Sequence, residues 1–305
     1  AQPRALSLDR IDDMPEFNGG EQLRGKRLLV VGEGGGSDGI QAAMTGRLLA
    51  QKYGAELAAI GSIRGADRRV AQAGRHIGRV TQEITADTTP VGDWRFLENI
   101  PLEDDPVTPL FLVASDDPAI VQHDVEALLR ATGADAIVGV DTGGDSLYRA
   151  LHPSFSAHLP TDITPDHDYN SLQALDGVAA AHPSMPVLST IVAPGVDSPQ
   201  YAREVLAEIN AQRIPLNPAD VTSITETYER WRMDGTGSEE GRYGKTPFSF
   251  LHALKGNFGF QFLPLPSANL TSLSNPWRAF TTITPAMGNI VVSDLRRHFD
   301  AVKRQ

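Results

Sequence analysis

This chain of 305 residues contains no cysteine, which excludes disulfides, thiolate nucleophiles and cysteine-ligated zinc together. No uninterrupted apolar run reaches the roughly 18 residues that a membrane-spanning helix needs, so no membrane partner is expected. The opening Ala1-Gln2-Pro3-Arg4-Ala5 is not followed by the apolar block of a signal peptide, and the cytoplasm is the expected compartment. Positive charge is scarce: 27 Lys and Arg stand against 38 Asp and Glu, for a net charge of -11. A surface that grips a nucleic-acid backbone needs a concentrated basic field, so nucleic acid is not an expected partner either. There is no internal repeat and no low-complexity tract.

What is present is a succession of compact apolar runs separated by amphipathic stretches. Residues 1–25, with Asp9, Asp12, Asp13 and Glu16 among scattered apolar positions, read as a surface lead-in. Strands are expected near 27–31, 56–60, 108–114, 135–140 and 186–192. Each is rich in Val, Ile, Leu or Ala without clean alternation, the pattern of parallel strands covered on both faces. Asp117-Pro118, Ser198-Pro199 and Asn217-Pro218 each combine an N-cap with a first-turn proline and precede an amphipathic stretch, so helices should begin there. Strands alternating with helices specify a doubly wound, Rossmann-like α/β fold: a mainly parallel sheet with helices on both faces and right-handed crossovers. Residues 61–107 read as an insertion, or as a helix plus a connecting strand. A single domain is expected over 26–305. Beyond residue 233, strands at 258–263 and 290–292 and a closing helix at 294–303 would extend or cap the sheet.

In such sheets ligands collect beyond the carboxyl ends of the strands, so polar residues at those ends are the candidates for chemistry. The first group is Gly34, Gly35, Gly36, Ser37 and Asp38, after the strand Arg27–Val31 and before a helix. Glycines there admit a ligand to the main chain, and the N–H groups of a helix start favour phosphate or carboxylate. Two common nucleotide motifs are disfavoured. NAD binding lacks its acidic residue after the second strand, which ends Ile60-Gly61-Ser62-Ile63-Arg64, and no Gly-Lys-Ser/Thr marks a P-loop.

The second group is Asp141, Thr142, Gly143, Gly144, Asp145 and Ser146, directly after the strand Ala136–Val140. Asp38, Asp141 and Asp145 are the expected catalytic residues, and the expected ligands of Mg²⁺ if a metal is used. The glycines, Ser37, Thr142 and Ser146 would bind ligand. A third loop, 161–170, carries Asp166, His167 and Asp168, of which Asp168 is assigned to ligand binding with helix capping as its alternative role. A fourth, Ala193-Pro194-Gly195-Val196-Asp197-Ser198, ends the last of these strands.

Taken together, Gly34-Gly35-Gly36-Ser37-Asp38, Asp141-Thr142-Gly143-Gly144-Asp145-Ser146-Leu147 and the acidic loop at 166–168 resemble the family known as domain of unknown function 1152. The resemblance spans roughly residues 27 to 300 and implies that the loops belong to one site. It brings no activity with it. The expected function is an enzyme acting on a small anionic or polar metabolite, one bearing phosphate or carboxylate, by hydrolysis or group transfer. The alternatives are a non-catalytic metabolite-binding module and a homo-oligomeric interaction protein whose interface would use Trp231, Phe258, Phe260, Phe262 and Trp277.

Overall fold

Leu28, Leu29, Val30 and Val31 are each fully buried, and they form the central strand of the sheet. The pleat sends Leu29 and Val31 into one apolar cluster and Leu28 and Val30 into the other, so an unbroken apolar run is what this position requires. The structure is a computed structural model that describes residues 11, 13–34, 37–92, 94, 96–149, 165–196, 205–233, 245–262 and 280–305.

Five parallel strands make the middle of the sheet: β1 (Arg27–Gly32), β2 (Glu56–Arg64), β3 (Leu110–Ala114), β4 (Ala136–Thr142) and β5 (Val187–Val192). Their spatial order is β5-β4-β1-β2-β3, which is the doubly wound arrangement. The chain runs from β1 outward through β2 to β3, then returns to the other side of β1 for β4 and β5. Between β1 and β4 the order reverses, the place at which doubly wound sheets hold a ligand, outside the carboxyl ends of the strands. The helix Asp38–Tyr53 covers one face, while Pro118–Thr132, Pro165–Ala181 and Leu295–Lys303 contribute to the cluster on the other.

Antiparallel strands flank this parallel core. Thr81–Ile84 pairs with β3, and Ile290–Asp294 pairs with β5. Two-residue strands finish the nine-stranded sheet, His76–Ile77 on one side and Gln212–Arg213 on the other. The Gln212–Arg213 edge is met by the segment Pro15–Phe17. The Arg213 N–H donates to the Pro15 carbonyl, and the Phe17 N–H donates to the Arg213 carbonyl.

Local signals act as their chemistry dictates. Asp117 accepts from the Ala119 N–H at 2.8 Å and starts the helix that Gly133 ends. Asn217 and Asp220 form a reciprocal capping box on the helix Pro218–Arg230. The start expected at Ser198-Pro199 falls outside the described residues.

Three stretches differ from expectation. β2 continues to Arg64 rather than stopping at residue 60. Residues 65–107 hold two small antiparallel pairs, Arg69–Ala71 with Thr89–Val91 and His76–Ile77 with Thr81–Ile84, and the short helix Ile100–Asp104. The supposed surface lead-in buries Ile11, Met14, Phe17 and Leu23, because its scattered apolar residues anchor the segment against the sheet. Past residue 233, Ile290–Asp294 extends the sheet, whereas Gly259–Phe262 pairs with Phe280–Ile283 in a separate ribbon.

Candidate functional site

β1 runs out at Gly32 and β4 at Thr142, side by side across the reversal point. The Glu33 N–H donates to the Val140 carbonyl at 2.9 Å, which carries the pairing one residue further. The pleat then decides where each polar side chain goes. Glu33 and Asp141 continue the series of Leu29, Val31 and Ile137, toward the helix Pro165–Ala181. Thr142 continues the series of Val138 and Val140, toward the helix Asp38–Tyr53. Gly139 shares the face of Glu33, and a Cβ there would lie 1.9 Å from Glu33 Oε1. Only a glycine leaves room for that carboxyl.

The two glycine-bearing loops meet. The Thr142 hydroxyl donates to Asp38 Oδ1, and Ser37 Oγ lies 3.4 Å from Thr142 Oγ1. Gly143 and Gly144 take positive φ of 99° and 105° and turn the chain into a short 3-10 helix, Asp145–Leu147. Within that turn, Ser146 donates both its hydroxyl and its N–H to Asp141 Oδ2, at 2.5 and 3.2 Å. Asp168, in the first turn of Pro165–Ala181, closes the site from above: a Cβ on Gly34 would fall 1.9 Å from Asp168 Oδ1 and 2.7 Å from Asp38 Oδ2. Gly34 therefore belongs to the site through the close approach of two carboxylates to its backbone.

Five carboxyl groups converge here almost without solvent: Glu33, Asp38, Asp141, Asp145 and Asp168, none more than 7% exposed. Burial, reinforced by the charges of Asp141, Asp38 and Asp145, pushes Glu33 well above the usual carboxylate range. Burial and then the neighbouring Asp141 and Asp145 raise Asp38, against the Thr142 hydroxyl and the charge of Arg64, which lower it. Asp141 and Asp168 are raised by burial first and by Asp145 next. Groups raised in this way and held close to one another share protons more readily than free carboxylates do.

Beside Asp38, at the end of β2, Arg64 is buried and paired with buried Glu98 at 2.7 Å. Ser62 donates to the same Glu98 oxygen, and the guanidinium lies over the Trp94 ring. Since Glu98 offsets Arg64, the cluster keeps a surplus of carboxylates. The opposite wall is held by His298, which reaches in from the helix Leu295–Lys303. Its Nε2–H donates to the Ser146 carbonyl at 3.1 Å, which leaves Nδ1 to accept from the Ser189 hydroxyl at 2.8 Å. Burial lowers this imidazole to about 4, so it is neutral at physiological pH.

Of the expected site residues, Gly34, Ser37, Asp38, Asp141, Thr142, Gly143, Gly144, Asp145, Ser146 and Asp168 are gathered at this reversal point. Gly35 and Gly36 lie outside the described residues, as do Asp162, Asp197 and Arg242. Asp166 is exposed, and His167 is bound to Asp116 at 3.0 Å at the rim. Lys245 donates to the Val196 carbonyl in the fourth loop. Lys255 pairs with Glu229. Glu33, Glu98 and His298 were not among the expected site residues. Glu33 carried a visible signal, a charge directly behind a buried strand. His298 carried none, since it reads as one polar position of an amphipathic helix.

Comparison with protein-family models, with curated proteins and with solved structures finds no match to this chain. Among the described residues, no helix is long and apolar enough to cross a membrane.

Proposed function

We propose that this chain is an enzyme that hydrolyses, or transfers a group from, a small phosphate- or carboxylate-bearing metabolite bound in the crevice between β1 and β4. The observation that carries the reading is the convergence of Asp38, Asp141 and Asp145 at the reversal point of a doubly wound sheet, where such folds hold their ligands. Carboxyls this close cannot all ionise readily, so one keeps a proton to give while another stands ready to accept. Asp141 and Asp145 supply that acid–base pair or, where a cation sits between them, its ligands. The Thr142 and Ser146 hydroxyls fix the orientation of the Asp38 and Asp141 carboxylates. The proposed setting is the cytoplasm, with no nucleic-acid partner. The grouping of these loops also agrees with the resemblance to domain of unknown function 1152, which we retain as part of the proposal.

The test starts with a thermal-shift panel of sugar phosphates, nucleotides, amino acids and carboxylic acids, with and without Mg²⁺, because a ligand of the folded state raises its melting temperature by mass action. Ligands that score are then assayed for turnover. Asp145→Asn is expected to lower turnover by about 10²- to 10⁴-fold, the range of a lost acid–base group. Unchanged turnover and affinity in both Asp145→Asn and Asp38→Asn would remove the reading. Reversible binding of a ligand that is never altered would favour a binding module.

A further inference from the structure

Once ionised, the surplus of buried carboxylates is balanced by a cation, and the side chains around it decide which kind. Asp141, Asp145 and Asp168 each offer one oxygen, and these oxygens all lie within 4.8 Å of one another. Around a cation with oxygen ligands at about 2.0–2.6 Å, neighbouring ligand atoms stand about 3 Å apart and opposite ones about 4–5 Å, so one ion fits among the three without rearrangement of the backbone. A second observation is independent of that spacing. Asp141 Oδ1 and Asp168 Oδ1 are fully buried and, apart from the Asp145 carboxyl that they face, meet no hydrogen-bond donor among the described residues, although buried acceptors in folded proteins are almost always satisfied.

The orientation of Asp141 is built in as well. Both donors of Ser146 are spent on Oδ2, which leaves Oδ1 free, the arrangement in which an outer hydrogen bond aims an inner ligand. His298 holds the Ser146 carbonyl and thereby the turn that carries both Asp145 and Ser146. The donors are all carboxylate. Cysteine is absent and both nitrogens of His298 are engaged, so the set suits a hard cation rather than zinc or copper.

We propose that Asp141, Asp145 and Asp168 bind one hard divalent cation, Mg²⁺, Mn²⁺ or Ca²⁺, with Ser146 as the residue that positions Asp141. The site differs from the set expected from sequence, Asp38 with Asp141 and Asp145, because Asp38 is engaged by Thr142 while Asp168 faces the other two. It exists whether or not the crevice turns over a substrate, so it stands apart from the enzymatic reading.

The test titrates Mn²⁺ into EDTA-treated full-length protein and follows free Mn²⁺ by electron paramagnetic resonance. One Mn²⁺ is expected per chain, displaced by Mg²⁺ or Ca²⁺. Asp145→Asn and Asp168→Asn should each weaken binding by more than about tenfold, and Ser146→Ala by about 10- to 100-fold, the usual effect of losing an outer-shell partner. Circular dichroism in EDTA establishes that the variants are folded. Should they fail to fold, the wild-type chain decides: Mn²⁺ must raise its melting temperature above that in EDTA at matched ionic strength. The proposal is overturned if no stoichiometric Mn²⁺ binds, if Mn²⁺ leaves the melting temperature unmoved, or if both aspartate variants bind as tightly as wild type. Cation binding without turnover of any ligand would keep this proposal and remove the enzyme.

Discussion

Gly34 shows how much of the site depends on a missing side chain. Its substitution by alanine would place a methyl group 1.9 Å from Asp168 Oδ1 and 2.7 Å from Asp38 Oδ2, both of them side-chain ends rather than backbone. The cost to folding should therefore be small, below about 1–3 kcal/mol, while the carboxylate itself is displaced. Gly34→Ala is expected to retain a melting temperature near wild type and to lose Mn²⁺ affinity by more than about tenfold; full affinity would show that Asp168 is no ligand. At this scale the sequence exposed the two loops well, because a run of Asp, Thr and Ser behind a buried strand has no packing role. It did not expose Glu33 as a neighbour of Asp141. That proximity follows from pleat parity and from the space over Gly139, which are properties of the paired strands.

At the scale of elements, the parallel strands and their helices were legible for a physical reason. Strands covered on both faces must be apolar throughout, and Asp117 and Asn217 announce helix starts by their capping chemistry. Residues 65–107 were not legible, since strands of two to four residues with mixed exposure show no period to read. Beside the pairing of Thr81–Ile84 with β3 and the Glu98 contacts to β2, one buried carboxylate ties them to the helix layer. Asp124, on the helix Pro118–Thr132, accepts from the Arg79 and Val80 N–H groups and from the Thr81 hydroxyl at 2.7–2.8 Å. Asp124→Ala strands three donors and is expected to destabilise by about 3–5 kcal/mol in urea denaturation. Mn²⁺ affinity of the folded fraction should be unchanged, and a loss of affinity equal to that of Asp168→Asn would contradict the separation of scaffold from site.

For the molecule as a whole, the carboxyl cluster sets how stability follows pH. In EDTA, Glu33, Asp38, Asp141 and Asp168 hold their protons to higher pH than in the unfolded chain, where such groups ionise near about 4. As pH rises above that value the unfolded chain releases protons that the folded one keeps. Stability then falls with rising pH, by about 1.4 kcal/mol per unit for each group still differing. His298 acts in the opposite sense: its pKa of about 4 lies below the unfolded value, so it costs stability as pH falls below about 6.5. One imidazole against four carboxyls leaves the carboxyls in control above about pH 5. The melting temperature in EDTA should accordingly be higher near about pH 5.5 than near about pH 8, and excess Mg²⁺ should shrink or reverse the difference, since it binds the ionised cluster. A steady rise with pH in EDTA would contradict the account.

The two ends of the sheet also bear on self-association. An open β-edge is a row of unpaired backbone groups that can recruit another chain. Here one edge is only His76–Ile77, and at the other Gln212–Arg213 is already bonded to a segment that begins at Pro15, a residue with no N–H to offer. Among the described residues neither rim offers a length of backbone on which a second copy could continue the sheet. A second copy of this chain would therefore not add a strand along either rim of the nine-stranded sheet, and edge-to-edge growth has no template there.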